Sequence, residues 1–108
     1  MIKTNGSEYK RFYDDETAWP DDAWHEGELL LVNGDEWTQG VTEIPDNAII
    51  NLSGGAVYDL PNGGEPSMEL HFSRWRKRQT TATFLVECDL AKLGDVKAAI
   101  KAAGGKVL

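Results

Sequence analysis

Apolar and polar residues follow two different periods along the chain, and the clearest patterns lie towards its C-terminal end. Residues 83–88 are rich in β-branched and aromatic side chains, a composition that predicts a buried strand ended by Asp89. Apolar residues then recur every three or four positions, which predicts an amphipathic helix over about 90–103. Asp89 suits the N-cap of this helix, or Asp95 after Gly94 does if the first turn is irregular, and Gly104-Gly105 favour its end before a short returning strand at 106–108.

Residues 67–79 fit the spacing of a strand and the spacing of a helix. Alternate residues from Met68 to Phe72 are apolar, as in a strand, whereas Met68, Phe72 and Trp75 share one face of a helix. Trp75 fits only the helical face, Ser67 suits the N-cap, and basic residues in the last turn complement the helix dipole. We therefore predict a helix with Trp75 in the core.

The first half of the chain predicts short strands joined by turns. Residues 28–32 lead into Asn33-Gly34, a dipeptide that favours a tight hairpin, and the chain returns over 35–38. Residues 48–52 and 56–60 are separated by Ser-Gly-Gly, which predicts a second hairpin.

These elements predict a single α+β domain over residues 1–108. Its mostly antiparallel sheet has about five strands, for one of which Tyr9–Tyr13 is a further candidate, and two helices, at about 67–79 and 90–103, pack on one face. No apolar run approaches the roughly 20 residues that span a bilayer, so no membrane contact is predicted. A single cysteine and the absence of a basic-then-apolar segment at the N-terminus predict a cytoplasmic protein.

No pattern of reactive residues predicts an enzyme, a metal site or a cofactor. Cys88 with His25 or His71 has the residue types of a nucleophile and its base, but Cys88 shares one side of its predicted strand with Phe84 and Val86. We expect an inert, packed thiol. The acidic residues lack the spacing of a calcium loop, and the glycine pairs lack the spacing of a phosphate-binding loop.

Charge divides the chain into two parts. Residues 1–66 hold 14 acidic and 3 basic residues, whereas residues 67–108 hold 4 acidic and 8 basic ones, which together give the net charge of −7. Such asymmetry bears on partners and solubility, because it sets the field around a protein but not its fold.

Acidic residues and tryptophans are interleaved in the most acidic stretch, and they are our candidate partner-binding residues. Trp anchors interfaces, and complementary charge accelerates encounter, so this composition predicts docking on a basic protein surface. Two alternatives stay open: the acids form a merely solvated surface, and the tryptophans fold back as part of the core. The candidates are Asp14, Asp15, Glu16, Trp19, Asp21, Asp22, Trp24 and Glu26.

A basic segment beside Trp75 gives an alternative function. Arg74, Arg76, Lys77 and Arg78 have the charges of a phosphate-binding patch, which would make the protein a nucleic-acid-associated accessory. The same charges would also complement the acidic half of a second copy in a homodimer.

In size and acidity the chain resembles small phage-encoded inhibitors, such as anti-CRISPR and other DNA-mimic proteins. This resemblance implies a non-catalytic inhibitor that occludes a basic, nucleic-acid-binding surface of a partner protein. We take that as the expected function and the accessory role of the basic segment as its alternative.

Overall fold

The computed structural model describes residues 1–82 and 84–108 as an α+β protein with an antiparallel four-stranded sheet. The strands are β1 (Ile2–Asn5), β2 (Trp24–Val32), β3 (Asp35–Glu36) and β4 (Ile49–Tyr58), arranged in the order β1-β4-β2-β3. The helices are α1 (Gly6–Asp14), α2 (Met68–Thr80) and α3 (Leu93–Ala102), and short 3-10 turns cover Val41–Glu43 and Leu90–Lys92. The predicted α+β class with an antiparallel sheet is confirmed, and the described residues form three helices and four strands where two helices and about five strands were predicted.

Helices α1 and α2 cover one face of the sheet and enclose the core. Their buried side chains meet those of β4 and of the end of β2, and the largest fully buried ones include Tyr9, Phe12, Phe72, Ile50 and Leu52. Aromatic rings fill the space between the two helices, where Phe12 and Phe72 meet edge to face at 5.0 Å. The predicted burial of Trp75 is confirmed, since only 2% of this residue is exposed.

Helix α1 occupies the place where a strand was predicted at Tyr9–Tyr13, so that prediction is wrong. The side chain of Asn5 accepts a hydrogen bond from the Glu8 amide at 2.7 Å, which caps the helix. Tyr9 and Phe12 then lie three residues apart on one buried helical face. A helix fits this spacing because a strand would have placed the two rings on opposite faces.

The hairpin predicted at Asn33-Gly34 is confirmed, with Val32 paired to Asp35. The hairpin predicted within residues 48–60 is wrong, because β4 runs straight through the Ser-Gly-Gly sequence. Gly54 and Gly55 adopt positive φ angles of 67° and 71°, and a Cβ on Gly55 would come within 2.7 Å of Glu28. The glycines therefore adopt positive φ within one continuous strand instead of reversing the chain.

The two helices predicted in the C-terminal part of the chain are confirmed, but the prediction that both pack on the sheet is wrong. Helix α2 matches the predicted 67–79, and the turn at Leu90–Lys92 with α3 matches 90–103. However, the chain after Thr80, which we call the C-terminal arm (residues 81–108, of which Thr83 lies outside the described residues), contributes no side chain to the core. Residues 84–89 and 105–108 form no strand, and α3 does not pack on the sheet.

Residues 84–89 form no strand because, in the described part of the chain, they do not lie beside an edge of the sheet with which their backbone could pair. Phe84, Leu85 and Val86 are 76%, 101% and 51% exposed. The expected burial of Cys88 is likewise wrong, because this thiol lies half-exposed in the arm.

Candidate protein-interaction surface

The acidic loop (residues 14–22) joins the end of α1 to β2 and is anchored to the core by its centre. Ala18 is fully buried, and the Nε2 atom of His71 lies 2.7 Å from its carbonyl oxygen. The ring of Trp19 lies 5.3 Å from Phe12 and 5.0 Å from His71, and its Nε1 donates to the Phe12 carbonyl at 3.0 Å. These contacts fix the course of the loop across the end of the helical layer.

Asp15 is held by three hydrogen bonds and belongs to this anchor. Its Oδ1 accepts from the backbone N and the hydroxyl of Thr17 at 2.9 and 2.7 Å, and its Oδ2 accepts from Trp75 Nε1 at 2.8 Å. The bond from Trp75, followed by those from Thr17, lowers the pKa of the Asp15 carboxyl. Asp15 and Trp19 were predicted as partner-binding residues, but the structure engages both in holding the loop.

The other acidic candidates on and after the loop are exposed. Among the described residues, no basic side chain lies within salt-bridge distance of any of them. They are Asp14, Glu16, Asp21, Asp22 and Glu26. Their negative charge is therefore not neutralised by a contacting basic side chain in the described residues, and its field extends into the solvent.

Trp24, at the start of β2, is the exposed tryptophan among the candidates, with 44% of the residue accessible. Its ring stacks on Tyr58 with centroids 4.5 Å apart, and its Nε1 donates to Asp59 Oδ2 at 2.8 Å. The pairing of Trp24 with Tyr58 across the sheet places Asp59 next to it. No local pattern predicts this contact, since the hairpin predicted within residues 48–60 pairs Tyr58 with a different strand.

Beneath the loop, His25 and Glu28 form a pair on β2. The Nδ1 atom of His25 contacts a carboxylate oxygen of Glu28, and both side chains are largely buried. The His25 ring also lies 5.1 Å from Trp19 and 5.8 Å from Tyr13. The pair thus ties the first residues of β2 to the anchored loop.

The basic candidates on α2 do not act as one patch. Arg76 donates to Glu8 Oε1 from Nε and Nη2 at 2.9 and 2.7 Å, and its guanidinium lies 4.6 Å from the Phe72 ring centre. Partial burial would raise the pKa of Glu8, but hydrogen bonds from Thr4 and Arg76 outweigh that effect and lower it. Arg76 therefore joins the two helices.

Three basic candidates remain exposed: Arg74, Lys77 and Arg78. Burial lowers the pKa of His71, and the charges of Arg78 and Arg74 add to that effect. These two arginines therefore lie close to the residue that anchors the acidic loop. The acidic surface and the exposed basic residues border each other.

An open groove of about 830 Å³ lies between α1 and α2, beside the acidic loop. Both signs of charge line it, including Lys10, Arg11, Asp14 and Asp15, and Trp75 also contributes to its wall. In the described part of the chain, no cluster of three or more His, Cys, Asp or Glu side chains is arranged to hold a metal ion.

Comparison with models of protein families, with curated proteins and with solved structures finds no match to this chain. Within the ranges 1–82 and 84–108, no helix combines the length and the apolar character needed to cross a membrane.

Proposed function

We propose that this protein is a non-catalytic, acidic interaction module that binds a basic protein surface through its acidic loop and Trp24. The observation that carries the proposal is the set of exposed carboxylates on a loop whose centre is fixed by Ala18 and Trp19. The proposed partner is a nucleic-acid-binding protein in the cytoplasm, whose phosphate-binding site the carboxylates would occupy.

Anchoring matters because a flexible acidic loop would lose conformational entropy on binding. In this protein the loop is already ordered before a partner binds, because Ala18 is buried and Asp15 and Trp19 are hydrogen-bonded. Its conformational entropy is therefore lost on folding and not on binding. Preorganised carboxylates can then match a fixed array of lysines and arginines. Long-range attraction raises the association rate, and that rate should fall steeply with salt.

Trp24 supplies the apolar part of the proposed contact. Its ring is exposed yet held in one orientation by Tyr58 and Asp59, so little side-chain entropy is lost when a partner covers it. Aromatic anchors surrounded by polar residues are typical of binding hot spots. Trp24→Ala should therefore act mainly by speeding dissociation of the partner, whereas removal of charge should act mainly by slowing association.

The experiment is capture of partners on the immobilised full chain, followed by kinetic measurement with the purified partner. The test variant carries Asp14→Asn, Glu16→Gln, Asp21→Asn and Asp22→Asn. The matched control neutralises four exposed acids outside the loop, and it consists of Asp35→Asn, Glu36→Gln, Glu43→Gln and Glu65→Gln. Both variants lose the same charge, so a difference between them reports the position of the carboxylates. Asp21 has a φ of 46°, a conformation that Asn also tolerates.

The proposal expects a nuclease-insensitive, salt-weakened protein partner whose association is slowed by at least about tenfold in the test variant and much less in the control. Equal effects in both variants would contradict a specific acidic surface. Capture of nucleic acid itself, lost on changing Arg74, Lys77 and Arg78 to Ala, would instead support the alternative accessory function.

A further inference from the structure

The C-terminal arm carries an apolar segment that forms no strand and, among the described residues, pairs with no strand of its own chain. Phe84, Leu85 and Val86 are exposed, and Leu90 is 86% exposed at the turn that follows. β-Branched and aromatic residues are typical of paired strands, whose backbone groups hydrogen-bond to a neighbour. The segment therefore has the composition of a strand but is not paired with one.

One edge of the sheet is closed by the protein itself. Arg76 Nη2 donates to the Lys3 carbonyl of β1 at 3.0 Å, Glu69 accepts from the Gly54 amide at 2.6 Å, and Pro66 accepts from Val57 at 2.8 Å. Side chains and backbone of α2 and of the segment before it thus cover β1 and the exposed part of β4. No further strand can add there without displacing these bonds.

The opposite edge is open over residues 24–29 of β2. Strand β3 pairs only with Leu31 and Val32, and one more backbone bond joins Trp37 to Leu30. In the part of the chain that the structure describes, no hydrogen bond from another element reaches residues 24–29 on the side away from β4. Exposed edges of this kind pair readily with another strand.

We propose that residues 84–88 of one copy pair with residues 24–29 of a second copy, reciprocally, to form a two-fold dimer with a fifth strand in each sheet. The open edge of β2 is six residues long (24–29), which is enough for the five residues of the segment (84–88). The exchange makes the fifth strand an intermolecular one.

Geometry favours the second copy over the same chain. The arm leaves α2 on the side of β1, since Thr80 shares the groove with Ser7 and Asp46. The chain from Thr80 to Phe84 spans at most about 14 Å when fully extended. To reach the open edge of β2 within its own chain, it would have to pass two strand spacings from β1, about 10 Å, and also cross from the helical layer to the sheet. A linker that must be almost fully stretched favours exchange between copies.

Charge favours contact between an arm and the body of the protein, and the short linker directs that contact to a second copy. Residues 90–108 carry four lysines and one aspartate, whereas residues 1–80 carry 15 acidic and 7 basic residues. The open edge itself carries Glu26 and Glu28. Pairing brings the lysine-rich end of each arm against the acidic body of the other copy, an arrangement in which both contacts are attractive.

Apolar area adds to the backbone pairing. The two arms together supply eight exposed apolar side chains, from Phe84, Leu85, Val86 and Leu90 of each copy, towards a standard interface of about 1,200–2,000 Å². The surface buried on β2 adds to this area. The paired edge includes Trp24 and Glu26, whereas the carboxylates of the acidic loop (residues 14–22) lie outside it.

The test uses the full chain and two proline variants. Successive N–H groups of a strand point to opposite sides, so either Leu85→Pro or Val86→Pro must remove an N–H that pairs with β2. The matched control is Val86→Ile, which keeps the amide, the apolar character and the β-branched shape. Since these residues are exposed in the monomer, none of the three changes should disturb the body of the fold, which near-ultraviolet circular dichroism will verify.

Sedimentation analysis should give a species of twice the 12.0 kDa chain mass, with amide hydrogen exchange slowed at both 24–29 and 84–88 as concentration rises. At least one proline variant should raise the dimer dissociation constant by about tenfold or more, and Val86→Ile should leave it unchanged. A monomer at every concentration would overturn the proposal, whether or not the two segments are protected. A dimer that both proline variants retain would overturn it equally.

Discussion

Replacing Asp15 by Asn should destabilise the fold although the two side chains have nearly the same shape. The Oδ1 atom accepts two hydrogen bonds from Thr17, and Oδ2 accepts one from Trp75 Nε1. An amide has only one oxygen, so keeping both Thr17 bonds turns the amide nitrogen towards the indole N–H. Two donors then face each other, and the N–H of a tryptophan that is 2% exposed loses its acceptor.

The magnitude follows from that lost bond. A hydrogen bond to a charged group contributes about 1.5–3 kcal/mol, and a buried donor left without a partner costs about 1–3 kcal/mol. Because Asp15 itself is partly exposed, we expect a loss of about 2 kcal/mol, near the middle of those ranges. For a domain of this size that corresponds to a fall in Tm of roughly 8–16 °C.

The measurement is urea unfolding followed by tryptophan fluorescence, with Asp14→Asn as the matched control. Asp14 is the adjacent exposed acid, so its substitution removes the same charge and should change stability by less than about 0.5 kcal/mol. Because the folded state lowers the pKa of Asp15, its stabilisation is present above the unfolded pKa and disappears as the pH falls through the folded one. The gap between wild type and Asp15→Asn should therefore close in acid. Equal stability of the two variants at neutral pH would refute the reasoning.

Two further predictions test other parts of the fold. In Gly6→Ala the added Cβ would lie 1.9 Å from the Pro45 carbonyl oxygen, so a loss of at least about 2 kcal/mol is expected in urea unfolding, whereas Gly94→Ala, with open space around its Cβ, should be neutral or slightly stabilising. Burial lowers the pKa of His71, so wild-type stability should fall as the pH drops below about 6.5, the unfolded value. In His71→Gln, which keeps a donor for the Ala18 carbonyl, stability measured against pH should be flatter across that range; an unchanged slope would contradict it.

The sequence was informative where short-range signals agree with one another. The Asn33-Gly34 turn requires positive φ angles, which both residues adopt, and the hairpin forms there. Ser67 caps α2 by accepting from the Leu70 amide at 3.1 Å, and the helical stripe that includes Trp75 is buried. Each of these features depends on residues only a few positions apart.

The glycine pair in β4 shows why the second hairpin was not predictable. Positive φ at Gly54 and Gly55 is compatible both with a reversal and with a continuous strand, and what excludes the reversal is β2, which runs alongside. Glu28 approaches Gly55 so closely that only glycine fits. The deciding contact joins residues 27 positions apart, and no local pattern contains it.

Contacts between residues far apart in the sequence also decide which of the acidic and aromatic candidates are exposed. Asp14 and Asp15 are neighbours with the same chemistry, yet Trp75, 60 positions away, engages only Asp15. Trp19 and Trp24 both follow acids, but Phe12 and His71 enclose the first ring, while the second lies on the open sheet beside Tyr58. The buried partners hold the exposed carboxylates in place. For the proposed binding of a basic partner, substitution of an anchor should therefore act through disorder of the loop, whereas substitution of an exposed acid should act with the fold intact.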